Sequence, residues 1–215
     1  PAHTGSVKLL ASCAVAGADT CLLAVQCSSL TSPPTLWACR LDPGALRGCA
    51  READDWCLLA DTRRARPPPP LESLRAKILD ALEHCAATRV ALSAEVGGAE
   101  AHLLVPRASA SGASAPLVVR PHGGPHSMAP DAFDVQTAML LAAGVAVLLP
   151  NYRGSLGYSQ PFADALLGRI GELDVDDVAA LTRKVLDDAP AGVLDEKRVA
   201  VYGGSHGGFL TAWLL

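Results

Sequence analysis

RVAVYGGSHGGFLTAWLL, at residues 198–215, is the stretch of this sequence that decides the fold. Residues 199–202 form a short β-branched and aromatic run that predicts a buried strand, and residues 209–215 predict the start of an apolar helix. Between them, glycines without a Cβ flank Ser205, so the chain can turn sharply and expose the serine side chain. The pattern makes Ser205 a candidate nucleophile at a helix N-terminus, where backbone N–H groups stabilise developing negative charge.

A glycine-rich turn of this kind has two simpler interpretations, a solvated serine in an ordinary loop and a phosphate-binding loop. No lysine follows the glycines as a Walker loop requires, and their spacing does not match G-x-G-x-x-G. G-x-S-x-G between a strand and a helix is instead typical of the nucleophile elbow of an α/β-hydrolase. We therefore favour the α/β-hydrolase fold.

From Pro116 to this turn, the sequence alternates between strand and helix patterns. Residues 117–120 and 145–149 predict strands, while residues 131–143 and 172–188 predict helices with an apolar face. This alternation predicts a doubly wound α/β sheet. Because sites in such sheets form beyond the carboxyl ends of the strands, the segments that follow the strands are candidate site segments.

HGGPH, at residues 122–126, follows the first of these strands. Its glycines, Gly123 and Gly124, would let the backbone approach a substrate carbonyl and present N–H groups to it, as in half of an oxyanion hole. The backbone N–H of His206 would supply the other half. An ordinary Gly-Pro turn is the simpler interpretation, and a metal pair of its two histidines is disfavoured because ligands at that spacing need a helix.

NYRGSLGYSQ, at residues 151–160, follows the next strand. Tyr152 could hydrogen-bond or stack near the site, and Arg153 could pair with a buried carboxylate. We favour a supporting role for both side chains, and for His122, over direct contact with a substrate.

Residues 1–85 have a different character. Four short apolar runs separated by turn-rich pieces, among them Ser32-Pro33-Pro34, predict antiparallel strands of a sandwich, barrel or propeller; the runs lie at residues 7–10, 21–25, 36–38 and 56–60. RRARPPPP, at residues 63–70, ends in a proline run and predicts an extended surface segment or linker, and residues 71–87 predict a helix. A hairpin of residues 90–92 and 101–105 is expected to open the next domain.

Composition excludes several classes of function. Half of the 215 residues are apolar, and a net charge of −4 leaves no basic footprint for nucleic acid. The longest apolar stretch, residues 138–149, is too short to cross a bilayer, so no membrane span is predicted. Seven cysteines without a CxxC pair favour reduced thiols in the cytosol over disulfides or a zinc site.

HGGPHS, NYRGSLGYSQ and YGGSHGGF, in this order and spacing, resemble the catalytic domain of the prolyl oligopeptidase family of serine peptidases. The resemblance is strong over residues 95–215. It implies Ser205 as the nucleophile and the backbone of His206 and of the Gly123-Gly124 turn as oxyanion donors. Related oligopeptidases carry a tyrosine in place of His122. The resemblance also implies that residues 1–85 are the C-terminal part of a β-propeller and residues 86–215 the N-terminal part of the hydrolase domain.

The resemblance extends to function. The elbow and the HGGPHS turn are most similar to the family members that release N-acylated amino acids from the blocked N-terminus of short peptides through an acyl-enzyme. This implies a cytoplasmic serine exopeptidase without metal or organic cofactor that binds no nucleic acid or membrane and forms a homo-oligomer. The alternatives are a dipeptidyl- or oligopeptidase of the same family and a non-catalytic truncated product.

The triad is incomplete in this sequence. In α/β-hydrolases the order along the chain is Ser, then Asp or Glu, then His. The residues after Ser205 contain no Asp or Glu, and the one histidine among them is His206. His206 follows the serine directly, so its side chain diverges from it. We therefore expect the Asp and the His beyond Leu215, a truncated hydrolase sheet, and an inactive fragment.

Overall fold

The computed structural model describes residues 5–14, 21–41, 56–65, 68–107 and 112–215. The chain divides into two compact units. The first contains Pro1–Leu79 and Asp131–Asp134, and the second contains Asp80–Pro130 and Val135–Leu215. The division falls within the first helix. The assignment of residues 1–85 and 86–215 to a propeller and a hydrolase domain stays a prediction.

The first unit contains a four-stranded antiparallel sheet in the order β1-β2-β3-β4. Its strands are β1 (Ser6–Ala14), β2 (Cys21–Ser29), β3 (Ser32–Leu41) and β4 (Trp56–Asp61), so all four predicted strands are confirmed. Ser32-Pro33-Pro34 begins β3 instead of lying in a turn. Proline is tolerated there because the pairing of β2 with β3 is irregular between Cys27 and Ser29, next to the start of the strand.

Helix α1 spans Pro69–His84. The prediction of an extended segment over residues 63–70 is wrong at both ends, because Thr62–Arg64 forms a short 3-10 helix and the last two prolines open α1. The first turn of a helix needs no N–H donors, so proline fits there. Two positions of the segment, 66 and 67, lie outside the described residues.

The second unit contains a five-stranded mixed sheet in the order β5-β6-β8-β7-β9. Its strands are β5 (Ala86–Ala91), β6 (Glu100–Val105), β7 (Ala115–Val119), β8 (Ala146–Asn151) and β9 (Leu194–Val201). The predicted β5–β6 hairpin and the three later strands are confirmed. Strand β7 is parallel to both β8 and β9, whereas β6 runs antiparallel to β8. The chain thus moves from β7 to one side and then back past it, as a doubly wound sheet does.

Four helices connect and follow these strands: α2 (Val135–Ala142), α3 (Gln160–Asp164), α4 (Leu173–Asp188) and α5 (His206–Trp213). The prediction for α4 is confirmed within one residue. Helix α2 begins later than predicted, and α5 begins at His206, directly after the serine. The early start of α5 follows from the flanking glycines, which place no side chain in the way of its first turn.

Helix α4 supplies the apolar face that covers one side of the second sheet. Its side chains Val178, Leu181 and Val185 recur at helical spacing and are buried in one cluster with Leu117 and Leu148 from the central strands. The prediction that residues 199–202 form a buried strand is wrong. Within the described residues β9 pairs only with β7 and lies at the edge of the sheet, so Tyr202 beyond its end is 43% exposed.

Truncation of Leu181 to alanine is expected to lower the free energy of unfolding by about 2–5 kcal/mol, because the fully buried side chain leaves a cavity between α4 and the sheet. Leu167→Ala removes the same atoms from a side chain that is 63% exposed and is the matched control. Urea denaturation of the full-length gene product measures both. Equal destabilisation by the two variants would contradict the core assignment.

Candidate active site

Ser205 occupies the turn between β9 and α5 with φ 55° and ψ −127°. It is the one residue other than glycine in the described ranges with a positive φ. Such a conformation costs a β-carbon-bearing residue about 1–3 kcal/mol, so the surrounding structure must impose it. The residue is exposed, and its hydroxyl makes no hydrogen bond to any described residue.

Two glycines let the chain make this turn. A Cβ at position 207 would lie 2.2 Å from the carbonyl oxygen of Pro121, and a Cβ at position 203 would lie 2.6 Å from the carbonyl carbon of Gly207. Both distances fall on rigid backbone. At Gly204, by contrast, a Cβ would meet no atom within 4 Å. The two outer glycines of G-x-S-x-G are therefore a packing requirement of the turn.

The turn at residues 122–126 lies against the elbow. A Cβ at position 123 would be 3.3 Å from the carbonyl oxygen of Gly204 and 3.9 Å from Ser205 Oγ. The backbone N–H groups of Gly123, Gly124 and His206 donate to no described acceptor. The structure thus brings the predicted donor segments next to the serine and leaves their N–H groups available for a ligand.

His122 and Tyr152 pack together behind this turn. Their rings stack with centroids 4.4 Å apart, and the Tyr152 hydroxyl donates to the His122 carbonyl oxygen over 2.9 Å. His122 Nε2 forms a hydrogen bond with Ser155 Oγ at 2.8 Å, and its Nδ1 lies 2.7 Å from the Gly123 carbonyl oxygen. Burial lowers the pKa of the His122 ring and raises that of the Tyr152 phenol, so both are neutral at pH 7.

Arg153 binds a buried carboxylate on α4, as the sequence suggested. Its Nη2 lies 2.6 Å from Asp177 Oδ1, its Nε lies 2.8 Å from Oδ2, and its backbone N–H also donates to Oδ2 at 2.8 Å. The carboxylate raises the pKa of the guanidinium. A Cβ at position 97 would lie 2.7 Å from Arg153 Nε, so Gly97 leaves room for the guanidinium. Arg153 thereby anchors its loop to α4.

Sequence reasoning missed Asp174, which binds His206. His206 Nε2 lies 2.8 Å from Asp174 Oδ2, and the carboxylate is fully buried in the first turn of α4. The sequence signals the burial of Asp174, although not its partner. Asp174 and Asp177 precede the apolar positions Val178 and Leu181 at helical spacing, which places both carboxylates on the buried face.

Metal-binding clusters and membrane spans are both absent from the described residues. These residues hold no group of three or more histidine, cysteine or acidic side chains arranged to bind a metal ion. In the same part of the chain, no helix combines the length and the apolar character needed to cross a membrane.

Comparison with known proteins identifies sequences that are similar to this chain. Residues 131–215 match the prolyl oligopeptidase family. Over 99% of its length the chain is 35% identical to an acylamino-acid-releasing enzyme of Mus musculus, and over 98% it is 36% identical to one of Sus scrofa. The chain spans only 28% and 26% of these two relatives, about a quarter of their length.

Solved structures show the same fold. An acylaminoacyl peptidase of Pyrococcus horikoshii superimposes with a TM-score of 0.68 over 90% of this chain and 27% of that chain, at 23% identity. A puromycin hydrolase superimposes with a TM-score of 0.65 over 92% of this chain and 27% of that chain, at 25% identity. These likenesses confirm the predicted α/β class and its hydrolase type of fold.

Substitution of Gly207 by alanine is expected to lower the thermal unfolding midpoint by several degrees or to prevent folding, because the new methyl group would collide with the Pro121 carbonyl. Gly204→Ala adds the same methyl group where no atom lies within 4 Å and is expected to change the midpoint little. Differential scanning fluorimetry of the full-length gene product compares them. A Gly207→Ala protein as stable as Gly204→Ala would refute the packing argument.

The lowered pKa of His122 predicts an acid-sensitive structure. The folded protein resists protonation of this buried ring, whereas the unfolded chain accepts a proton below about pH 6.5. Stability is therefore present above that pH and is lost as the pH falls toward the pKa of the folded state. His122→Gln is expected to reduce the loss of thermal stability between pH 7 and pH 5. His84→Gln, at a side chain that is 42% exposed, is the control, and an equal loss in both variants would contradict the prediction.

Proposed function

We propose that Ser205 is the nucleophile of a serine peptidase, because it lies within residues 131–215, which match the prolyl oligopeptidase family. The observation that carries the proposal is the elbow itself. Ser205 has a strained backbone, an exposed hydroxyl without a partner in the described residues, and unpartnered N–H groups of Gly123, Gly124 and His206 close by. Backbone strain of this kind clusters at active sites.

In the proposed reaction, Ser205 Oγ attacks the carbonyl carbon of a scissile bond and gives its proton to a general base. The carbonyl oxygen becomes an oxyanion and accepts hydrogen bonds from the backbone N–H of His206 and of the Gly123-Gly124 turn. The base then protonates the leaving amine, which departs and leaves an acyl-enzyme. Water hydrolyses this ester by the same steps and restores the serine.

The base and the carboxylate that orients it are proposed to lie in parts of the whole protein outside this chain. Neither histidine near the serine is hydrogen-bonded to Ser205 Oγ in the described residues; His206 Nε2 is bound to Asp174 and His122 Nε2 to Ser155. The chain covers about a quarter of its relatives, and the Ser, Asp, His order of the fold places the partners after Ser205. We expect the isolated chain to be inactive.

The proposed substrates are short peptides with an N-acylated first residue, which the enzyme would release as an N-acylated amino acid. Support comes from the relatives of Mus musculus and Sus scrofa, both named acylamino-acid-releasing enzymes. The four-stranded antiparallel sheet of the first unit has the strand number of one propeller blade, and a propeller would restrict entry to short peptides. A cytoplasmic location and a homo-oligomer of the whole protein belong to the same proposal.

Replacement of Ser205 by alanine is expected to lower hydrolysis of acetyl-alanine p-nitroanilide by the full-length gene product at least about 10⁴-fold, because no oxygen remains to form the acyl-enzyme. Covalent labelling by a fluorophosphonate probe should disappear with it. Ser93→Ala, at an exposed serine without a side-chain capping hydrogen bond, is the control. A Ser205→Ala protein that keeps its activity or its label would overturn the proposal.

The blocked terminus is tested on the same protein. Acetyl-alanine, alanine and glycyl-proline p-nitroanilides present an acylated, a free and a proline-containing terminus on one leaving group. Preference for the acetylated compound supports the acyl-peptide assignment. Preference for the glycyl-proline compound indicates a dipeptidyl- or oligopeptidase, and preference for alanine p-nitroanilide contradicts a requirement for the acyl group. Absence of both Ser205 labelling and turnover of any of the three compounds would favour the non-catalytic alternative.

A further inference from the structure

The side chain of the residue after the nucleophile is the only long side chain in the turn. In Gly203-Gly204-Ser205-His206-Gly207-Gly208, four of six positions have no side chain, and Ser205 Oγ forms no hydrogen bond with a described residue. Among these six residues, His206 is the one whose side chain forms a hydrogen bond with another described element. Its side chain is 10% exposed and points into the second unit.

The Asp174 carboxylate, to which His206 binds, accepts three hydrogen bonds. Asp174 Oδ1 accepts the backbone N–H groups of Gly171 at 2.8 Å and of Val175 at 3.1 Å, and Oδ2 accepts from His206 Nε2 at 2.8 Å. Because a carboxylate only accepts, the imidazole proton of this bond is on Nε2. A buried carboxylate with three donors has little freedom to move.

Two aromatic rings hold the imidazole in place. The Tyr152 ring lies 5.9 Å from it and the Phe209 ring 5.3 Å, centroid to centroid. With one hydrogen bond and two ring contacts, both side-chain torsions of His206 are fixed. The orientation of its backbone N–H, the first of α5, is therefore tied to the first turn of α4.

We propose that Asp174 is a positioning residue that acts through His206 to aim the His206 N–H at the oxyanion. This rests on the proposed function, which assigns that N–H to the oxyanion hole. Asp177, one turn along α4, anchors the neighbouring loop through Arg153. The N-terminal end of α4 thus fixes both the elbow at Ser205 and the Arg153 loop, which packs against the turn at residues 122–126.

The kinetic test uses the full-length gene product and acetyl-alanine p-nitroanilide. Asp174→Ala and His206→Phe each remove the Nε2–Oδ2 bond and should lower kcat about 10–100-fold with little change in KM, because the donor is misdirected in the transition state. The double variant should lose no more than the worse single variant. His206→Gln restores a side-chain N–H donor and should recover part of the loss. Asp187→Ala, an exposed aspartate on α4, is the control.

A second measurement does not depend on turnover. In ¹⁵N-histidine NMR spectra, His206 should show its proton on Nε2 in the wild-type protein. In Asp174→Asn, the amide donates in place of Oδ2, so the proton should move to Nδ1. This isosteric variant keeps an acceptor for Gly171 and Val175 and so avoids the loss of folding that alanine risks.

The outcomes separate the two proposals. A wild-type protein in which Ser205 takes no fluorophosphonate label overturns the proposed function and the positioning role with it. Normal labelling with an unchanged kcat in folded Asp174→Ala, a loss confined to KM, or multiplicative losses in the double variant overturns the positioning role alone. A proton on Nδ1 in the wild-type protein overturns the hydrogen bond from which the role is inferred.

Discussion

The approach of Gly207 to the Pro121 carbonyl oxygen joins the two segments that form the candidate site. A Cβ at position 207 would lie 2.2 Å from that oxygen, so the elbow and the start of the donor turn pack backbone against backbone. The ends of β7 and β9 bring them together, because Val119 pairs with Val201 and the Tyr202 N–H donates to the Val119 carbonyl at 3.0 Å. Sheet register therefore sets the distance between the serine and its neighbouring N–H groups.

Burial of two carboxylates in the first turns of α4 removes them from water, and this desolvation is unfavourable unless hydrogen-bond donors of the protein replace the water. Asp174 and Asp177 are almost inaccessible to water, and an unpaired charge in that environment would be strongly destabilising. Asp174 accepts from two backbone N–H groups and from the His206 side chain. Asp177 accepts from the backbone N–H and the guanidinium of Arg153. Removal of one partner from such a pair typically costs about 3–5 kcal/mol. Directional polar contacts thus hold the loops at defined angles, which apolar packing alone would not do.

Sequence patterns predicted the features that depend on near neighbours in the chain. The glycines around Ser205, the apolar spacing of α4 and the strand–helix alternation are local, and the structure confirms the elements they indicated. Features set by distant residues were missed. Asp174 is 32 positions from His206, the exposure of β9 depends on its place in the sheet, and the prolines of α1 join a helix whose later residues determine it. Such pairings follow from the folded topology, which local periodicity does not encode.

The same contacts explain why neither nearby histidine is suited to proton transfer. A general base needs a ring nitrogen with a free lone pair within hydrogen-bond distance of the nucleophile. Ser205 Oγ forms no hydrogen bond with either ring in the described residues, while His206 Nε2 donates to Asp174 and His122 Nε2 is hydrogen-bonded to Ser155 Oγ. Burial also lowers the pKa of the His122 ring and keeps it neutral, so the ring places no positive charge next to the turn at residues 122–126. The two imidazoles therefore act as structural supports. In the proposed function, Ser205 supplies the nucleophile and the backbone N–H groups of Gly123, Gly124 and His206 stabilise the oxyanion, while a base elsewhere in the protein transfers the proton.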